Sequence, residues 1–279
     1  MILAVDLGNY NVKTSEGIIF SSKFTTEKQI DRDVEDIIEV NGVEYCLGKG
    51  QYEFEFDKTK KNYIPLLLGA IVKSTKEREI DLVLGCPLVQ IDKKDDFIED
   101  LQGKEFEFYY NSKKIRLFIN KVAVIAEGLS SFYTLPKHIR ENRTLIVDIG
   151  GRTVNAAAFV KGKLEKQVTL PIGMLNFYEK VQTKENSKGN NISVVDVESL
   201  IEENRIYDVE DLKVDFIKNI INELKLYINT QNYEVFFTGG GTIVLKDIIA
   251  KRIKRANIIN NALFSNVNGN KAIADVKWR

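Results

Sequence analysis

One pattern occurs twice in the chain, as V-D-L-G-N-Y-N-V at residues 5–12 and as V-D-I-G-G-R-T-V at residues 147–154. Each copy follows an apolar run and precedes a second extended segment. The spacing therefore predicts two tight β-hairpins, each with an aspartate, Asp6 or Asp148, at the exit of its first strand. Two unrelated Asp-x-Gly turns are the simpler interpretation, but their repetition near the midpoint of the chain favours a duplicated unit.

A glycine stands two residues after each aspartate, at Gly8 and Gly150. Glycine in such a turn lets backbone N–H groups approach an anion, and two such loops facing each other would clamp a polyphosphate. Asp6 and Asp148 would then hold Mg²⁺ through its water shell, because this ion gives up water reluctantly. The duplicated pattern thus predicts a site for a magnesium-bound polyphosphate.

A third glycine cluster follows a predicted buried strand, in the run V-F-F-T-G-G-G at residues 235–241. Gly239, Gly240 and Gly241 leave room for a flat base or a ribose against the backbone, beside a helix N-terminus. A closely packed turn between strand and helix is the structural alternative.

Short extended runs alternate with helical periodicities along the chain, which predicts the α/β class. Strands are predicted at residues 2–5, 17–21, 37–40, 44–47, 80–85, 105–110, 114–119, 233–237 and 258–259, with a strand-turn-strand unit at 144–159. Helices are predicted at residues 66–74, 93–101, 122–135, 173–182, 193–204, 216–228, 243–253 and 266–276, with a mobile polar loop at 183–191.

Composition narrows the class of protein. The 279 residues are 44% hydrophobic, and 40 basic residues balance 40 acidic ones. Such a balance argues against extensive direct binding to nucleic acid, which usually needs a basic excess. Two cysteines, Cys46 and Cys86, are too few for a disulfide framework. The longest apolar run, 64–72, is far shorter than a membrane helix, so a cytoplasmic protein is expected.

With these motifs in place, the whole chain resembles the actin superfamily of nucleotide-dependent ATPases, and most closely the bacterial plasmid-segregation actins of the ParM type. Residues 5–13 are similar to the first phosphate loop of that family and residues 145–155 to the second. Residues 236–242 match its adenosine motif, and residues 264–269 resemble the entry to its last, hinge-crossing helix. Residues 126–129 fall where the family begins its other interdomain helix.

The resemblance implies a two-domain, duplicated ribonuclease H-like fold of the α/β class, with nucleotide in the interdomain cleft. Residues 1–143 and 262–279 would form domain I and residues 144–261 domain II. The outer part of domain II would be reduced, because this stretch is short for the family. Asn155 departs from the family, which more often carries an acid there.

The resemblance also implies roles for individual residues. Lys13 would reach the β- and γ-phosphates, and Glu127 would orient the attacking water, with Asp148 as the next candidate for that task. An outward-facing strand lysine and a helix-start carboxylate are the simpler interpretations of Lys13 and Glu127. The residues that would bind nucleotide are Gly8, Asn9, Asn11, Lys13, Gly150, Gly151, Thr153, Gly239, Gly240 and Gly241.

The function implied is that of a filament-forming, Mg²⁺-dependent ATP or GTP hydrolase acting in plasmid DNA segregation. Its partners would be other copies of the chain and a centromere-binding, DNA-binding adaptor, with no membrane. A small-molecule kinase of the same superfamily is the main rival, because type III pantothenate kinases begin with a sequence similar to residues 2–9. Those kinases need a Gly-x-Asp-Arg sequence, which this chain lacks. A nucleotide-binding cytoskeletal scaffold with little turnover is a third hypothesis.

Overall fold

Strands and α-helices alternate along the chain as the α/β class requires, in a computed structural model that describes residues 1–27, 36–52, 55 and 57–278. The strands are β1 (Ile2–Leu7), β2 (Asn11–Thr14), β3 (Ile19–Ser21), β4 (Lys23–Thr25), β5 (Ile37–Val40), β6 (Val43–Tyr52), β7 (Glu79–Cys86), β8 (Lys104–Tyr110), β9 (Lys113–Ala126), β10 (Arg143–Ile149), β11 (Val154–Val160), β12 (Lys163–Leu170), β13 (Glu234–Thr238) and β14 (Ala256–Ile258). The α-helices are α1 (Ile64–Ser74), α2 (Lys94–Leu101), α3 (Lys137–Arg140), α4 (Met174–Ser187), α5 (Val197–Glu202), α6 (Glu210–Lys225), α7 (Gly240–Val244), α8 (Lys246–Arg252) and α9 (Ser265–Lys277).

The duplication seen in the sequence extends to a duplicated arrangement of five strands. One sheet contains the order β3-β2-β1-β7-β9 and the other the order β12-β11-β10-β13-β14. In both, the first three strands are antiparallel neighbours. The next two run parallel to the hairpin's first strand and to each other. The predicted duplicated α/β fold is therefore confirmed.

Both predicted hairpins form, and they share one register. The register pairs Asp6 with Lys13 between β1 and β2, and Asp148 with Asn155 between β10 and β11. Each aspartate lies next to the last residue of its strand. Because a parallel strand ends beside it in each sheet, both aspartates lie at the carboxyl edge of parallel strands.

The first sheet carries an antiparallel extension, β8-β5-β6-β4, beyond β9. Its hairpin between β8 and β9 turns at Asn111 and Ser112, whose φ angles of 48° and 64° are the left-handed pair of a type I′ turn. Along β8, Phe108 is buried and Tyr109 is exposed. The predicted turn and the predicted sheet with one solvated face are both present.

The chain divides into two compact units, Met1–Thr134 with Asn266–Arg279 and Leu135–Ser265. The sequence places its domain boundaries after residues 143 and 261 instead. Residues 135–143 lie with the second unit because Thr144 donates its hydroxyl proton to the Ile139 carbonyl, at 2.9 Å. Residues 262–265 lie there because Thr238 donates likewise to the Ala262 carbonyl, at 3.0 Å.

Each unit has its own apolar core. In the second unit, α6 contributes Val214, Ile217, Ile220 and Leu224, which are all buried. This spacing of three and four residues confirms the predicted helical stripe. Between β12 and β13 the second unit contains helices and no strand. Within the described residues, no helix is both long and apolar enough to cross a membrane.

The predicted helix at 122–135 is wrong. Residues up to Ala126 continue β9, and a short 3₁₀ helix follows at Ser130–Thr134. Val122, Val124 and Ile125 suit a strand, because branched side chains pack well on a pleated surface and β7 offers a parallel partner over this whole stretch. Gly128 then takes a φ of 79°, which ends the extended chain.

Two further predictions at the level of elements need correction. The predicted loop at 183–191 is helical as far as Ser187, because α4 extends through it. Helix α4 ends where Glu185 accepts hydrogen bonds from Lys188, at 2.6 Å, and Asn190, at 2.9 Å. Strand β12 has no counterpart among the predicted strands, because its charged residues hide the alternation of an edge strand.

Candidate functional site

The turns of the two hairpins are tight for the same steric reason. A Cβ atom on Gly8 would lie 2.6 Å from the carbonyl oxygen of Asn11, and one on Gly150 would lie 3.0 Å from that of Thr153. In the second hairpin, Gly150 also donates its N–H to the Thr153 carbonyl, at 2.9 Å. The close approach of the backbone across the turn therefore requires glycine at Gly8 and disfavours a side chain at Gly150.

The hairpins differ in charge. Lys13 Nζ lies 3.5 Å from Asp6 Oδ2, and both side chains are largely buried. Asn155 takes the place of Lys13 in the second hairpin, where it accepts a hydrogen bond from Thr169 Oγ1 at 2.8 Å and donates to Thr153 Oγ1 at 3.4 Å. The first hairpin thus carries its own cation, and the second carries a neutral amide that supports the turn.

A second cation reaches the first hairpin from a distant part of the sequence. Lys61, three residues before α1, donates a hydrogen bond from Nζ to Asn9 Oδ1, at 2.8 Å. Beside this contact lies a cavity of about 340 Å³ that Leu7, Gly8, Lys23 and Lys61 help to line. Sequence reasoning missed Lys61 because no motif surrounds it and 52 residues separate it from Asn9.

Glu127 lies at a strand end and not at a helix start, which corrects the prediction made for it. Its N–H donates to the Cys86 carbonyl at 2.8 Å, so it follows β9 directly where β7 ends. The position of a Cβ atom on Gly85 would be 3.6 Å from Glu127 Cγ, 3.8 Å from Asp6 Oδ1 and 3.5 Å from Asn270 Nδ2. The first unit therefore gathers Asp6, Glu127 and Asn270 around one glycine.

In the second unit, the third glycine cluster packs against the second hairpin. Gly239 has a φ of 86°, and a Cβ atom on it would lie 2.2 Å from Asp148 Oδ1. A Cβ atom on Gly241 would lie 2.4 Å from Ile149 Cγ2. The predicted passage from strand to helix is present, although the predicted helix at 243–253 is divided into α7 and α8. This cluster and Asp148 thus occupy one corner of the second unit.

The first turn of α4 fixes the tip of the second hairpin. The N–H groups of Met174 and Leu175 donate to the carbonyls of Gly150, at 3.0 Å, and Gly151, at 2.8 Å. The N–H groups in the first turn of a helix have no hydrogen-bond acceptor within the helix itself, and here the hairpin carbonyls supply one. Because the C=O and N–H of a trans peptide point in opposite directions, the N–H groups of Gly151 and Arg152 point away from α4. That direction suits an anion at the hairpin tip.

The residues present fit a magnesium ion that is held mainly by phosphate and water. Within the described residues, no three His, Cys, Asp or Glu side chains form a group that could hold a metal ion. Mg²⁺ usually keeps several waters and takes one or two carboxylates plus phosphate oxygens from a bound nucleotide. Asp6 Oδ1 lies close to Gly85 in the first unit. In the second unit, Asp148 Oδ1 occupies the space that a Cβ atom on Gly239 would need. Each unit thus offers one carboxylate of the required kind.

Comparison with known proteins agrees with this architecture. Residues 4–129 match the family model for the N-terminal domain of actin-like proteins. The crystal structure of Ta0583, an archaeal actin homolog, has a TM-score of 0.84 at 16% identity, and the match covers 99% of each chain. A 15-stranded ParM filament from Clostridium botulinum has a TM-score of 0.80 at 18% identity, with 99% of each chain covered. The apo psk41 ParM protein has a TM-score of 0.73 at 18% identity, with 99% of this chain and 97% of that one covered.

The chain is therefore a two-unit α/β protein with the actin-like fold. Its first unit contains the match to the N-terminal domain of actin-like proteins, at residues 4–129. The actin-like fold, inferred from the duplicated motifs, is confirmed by these comparisons, and ParM proteins are among the structures that share it. A comparison with the sequences of curated proteins finds no match.

Proposed function

We propose that the chain binds a magnesium–nucleoside triphosphate, hydrolyses it, and assembles into filaments under control of the nucleotide. The observation that carries this proposal is the pair of hairpins, which share one register, one tight glycine turn and one strand-end aspartate each. Backbone N–H groups at such turns suit phosphate oxygens, and a carboxylate beside them suits the cation. Ta0583 in complex with ADP has a TM-score of 0.79 at 18% identity over 99% of each chain, which supports a nucleotide as the ligand.

Different charged residues in and beside the hairpins bind the cation and the phosphates. Asp6 and Asp148 hold Mg²⁺ through its water shell, and the ion, when bound, stabilises the negative charge of the phosphates. Lys13 contacts the β- and γ-phosphates as a point charge. Lys61 can exchange its neutral acceptor, the amide of Asn9, for a phosphate oxygen, because the negative charge of the phosphate adds a direct Coulomb attraction to the ammonium group.

The remaining predicted residues bind the rest of the nucleotide and the water. Gly8, Asn9, Asn11, Gly150, Gly151 and Thr153 contact phosphate, and Gly239, Gly240 and Gly241 leave room for the base or ribose. Glu127 orients the attacking water, with Asp148 as the second candidate. The place of Glu127 beside Asp6, around Gly85, supports this role, because it brings a carboxylate next to the phosphate loop without making it part of that loop.

We propose plasmid DNA segregation as the biological role, with a DNA-binding adaptor as the partner. The fold supports self-assembly, since a 15-stranded ParM filament is built from subunits of this architecture. The balance of 40 basic and 40 acidic residues supports an adaptor, because a chain without a basic excess is poorly suited to grip DNA over a broad face.

Light scattering and pelleting with Mg-ATP, with Mg-GTP and without nucleotide test the proposal. We expect assembly above a critical concentration with at least one triphosphate, accompanied by phosphate release. A few kcal/mol of differential affinity for one of two conformations is enough to shift the population toward the assembling form. A monomer that transfers phosphate to a small acceptor would instead identify a kinase, and nucleotide binding without turnover would identify a scaffold.

A further inference from the structure

Asn270 is a buried polar residue on α9 that the protein leaves incompletely bonded. Its side chain is 2% exposed. Among the residues that the structure describes, none forms a hydrogen bond with its Oδ1 atom. Buried side-chain polar atoms nearly always have a partner, so an exception indicates either a bound water or a functional role.

The amide nitrogen of Asn270 lies close to the side chains of Glu127 and Asp6, around Gly85. Its Nδ2 atom lies 3.5 Å from the position where a Cβ atom on Gly85 would be, and Glu127 Cγ and Asp6 Oδ1 lie 3.6 and 3.8 Å from the same point. Because Gly85 has no side chain, a recess remains between these three groups. We call it the Gly85 recess.

Helix α9 is held in the position that places Asn270 at this recess. A Cβ atom on Gly269 would lie 1.9 Å from the Ser130 carbonyl oxygen, so the helix backbone lies directly against the 3₁₀ helix that follows β9. Asn266 is fixed as well, because its Oδ1 accepts a hydrogen bond from Ser131 Oγ at 2.6 Å. The amide of Asn270 is therefore held by packing, although its own oxygen has no partner in the described protein.

We propose that Asn270 is a positioning residue that binds a water molecule in the Gly85 recess and orients it for Glu127. This inference rests on the proposed nucleotide hydrolysis and adds a group to that site. A buried water needs two to four polar partners, which an amide and two carboxylates supply. A carboxylate only accepts hydrogen bonds, whereas an amide also donates. By rotation about its last side-chain bond, the amide can present either Nδ2 or the unpartnered Oδ1 to the recess. Asn270 can therefore donate to the oxygen of the water or accept a hydrogen bond from it, while Glu127 accepts a hydrogen bond from the water.

Three variants test the inference, with one control. Asn270→Leu removes the polar atoms at similar volume, and Asn270→Ala removes the side chain. Gly85→Ala fills the recess, although its new methyl group makes only ordinary contacts of 3.5 Å or more. Asn268→Ala, on the same helix, is the control, because Asn268 is only partly buried. Phosphate release, nucleotide affinity with and without Mg²⁺, and the unfolding temperature without nucleotide are measured for each.

We expect phosphate release at saturating nucleotide to fall about 10- to 100-fold in the three recess variants, the size of loss that misplacement of a reacting group causes. Nucleotide affinity should stay within about twofold, since a group that contacts only the water adds little to ground-state binding. The unfolding temperature of Asn270→Leu should equal or exceed that of the wild type, because this change removes an unsatisfied buried atom. If Asn270 instead had a structural role, Asn270→Leu would lower the unfolding temperature.

A double-mutant cycle ties Asn270 to Glu127. If both act on one water, Asn270→Leu should slow phosphate release much less in a Glu127→Gln background than in the wild type. Wild-type rates in Asn270→Leu and Asn270→Ala would overturn this inference and leave the proposed function standing, as would fully additive effects. A wild-type protein that binds but does not hydrolyse nucleotide would overturn both.

Discussion

At the scale of single residues, Asp6 and Asp148 occupy matching places in the two hairpins, and both are buried. Replacing either with Asn keeps the shape of the side chain but removes the charge that the cation needs. We expect each variant to bind Mg-nucleotide at least about tenfold more weakly, or ~1.4 kcal/mol. Affinity measured without Mg²⁺ should change far less.

Asp247→Asn is the matched control for the metal prediction, because this exposed residue lies in the first turn of α8. Circular dichroism verifies that each variant is folded. Unchanged Mg-nucleotide affinity in both folded hairpin variants would contradict the assignment of these aspartates to the metal.

Lys61 allows a second test at the residue scale. We expect Lys61→Met to weaken triphosphate binding several-fold, with a larger loss at low salt, because screening reduces the contribution of a partly exposed charge. Lys60→Met is the control, since Lys60 is more exposed and its nearest acid is Asp57, at 4.0 Å. Titration of both variants with ATP and ADP at two salt concentrations makes the comparison. Equal affinities for the two variants would show that Lys61 only supports Asn9.

At the scale of elements, the effect of an alanine substitution on stability at the junction of β13 and α7 should depend on which glycine is replaced. In Gly239→Ala the new methyl group would collide with Asp148 Oδ1 at 2.2 Å, and the φ of 86° disfavours any side chain. Its ψ of 168° places Gly239 in a region that is essentially restricted to glycine, so we expect a loss of about 1–3 kcal/mol in unfolding free energy from the backbone alone, with further loss from the collision. Gly240→Ala is the control, because its nearest neighbour, Leu263 Cδ1, is 3.8 Å away. Urea unfolding of the two variants compares them, and equal stability would contradict the steric argument.

Asp57, in the segment before α1, should make a contribution to the unfolding free energy that is lost in acid. The hydrogen bond from Lys93, with a further one from Thr59, lowers the pKa of Asp57 from an ordinary value of 3.8 to about 2. Because the folded state prefers the ionised form, the stabilisation from Asp57 is complete above about pH 4 and disappears as the pH falls toward 2.

Asp57→Asn measures this contribution. The difference in unfolding free energy between wild type and variant should be largest near neutral pH and should shrink between pH 4 and pH 2. Lys93→Met should reduce the same pH dependence, since it removes the main partner. A difference that stays constant across this range would show that the pair does not couple to folding.

At the scale of the whole molecule, assembly and hydrolysis should be separable through Glu127. We expect Glu127→Ala to assemble with triphosphate but to release phosphate about 10² to 10⁴ times more slowly, so that its filaments persist. Phosphate release and light scattering are followed together, with the exposed Glu141→Ala as the control. Hydrolysis at the wild-type rate would leave Asp148 as the candidate that holds the water.

Much of the architecture is readable from short stretches of sequence. The hairpin at residues 5–12 and its copy at 147–154 depend on contacts within ten residues, where the apolar alternation and one glycine set the register. For the same reason, the helical stripe of α6 and the turn at Asn111 and Ser112 are predicted correctly. Local pattern also led to the actin-like resemblance, since the motifs that carry it are themselves local.

Apart from Lys13 of the same hairpin, the groups that surround Asp6 were decided by tertiary structure. Glu127 became a strand-end residue because β7 offered a partner that extends β9, and this contact overrode the helical interpretation of residues 122–135. Lys61 contacts Asn9, and Asn270 lies near Asp6, only after the chain has folded, so no local pattern marks either residue. The sequence by itself determined the two hairpins, because their contacts are local. Long-range packing determined which charges and amides surround the first of them.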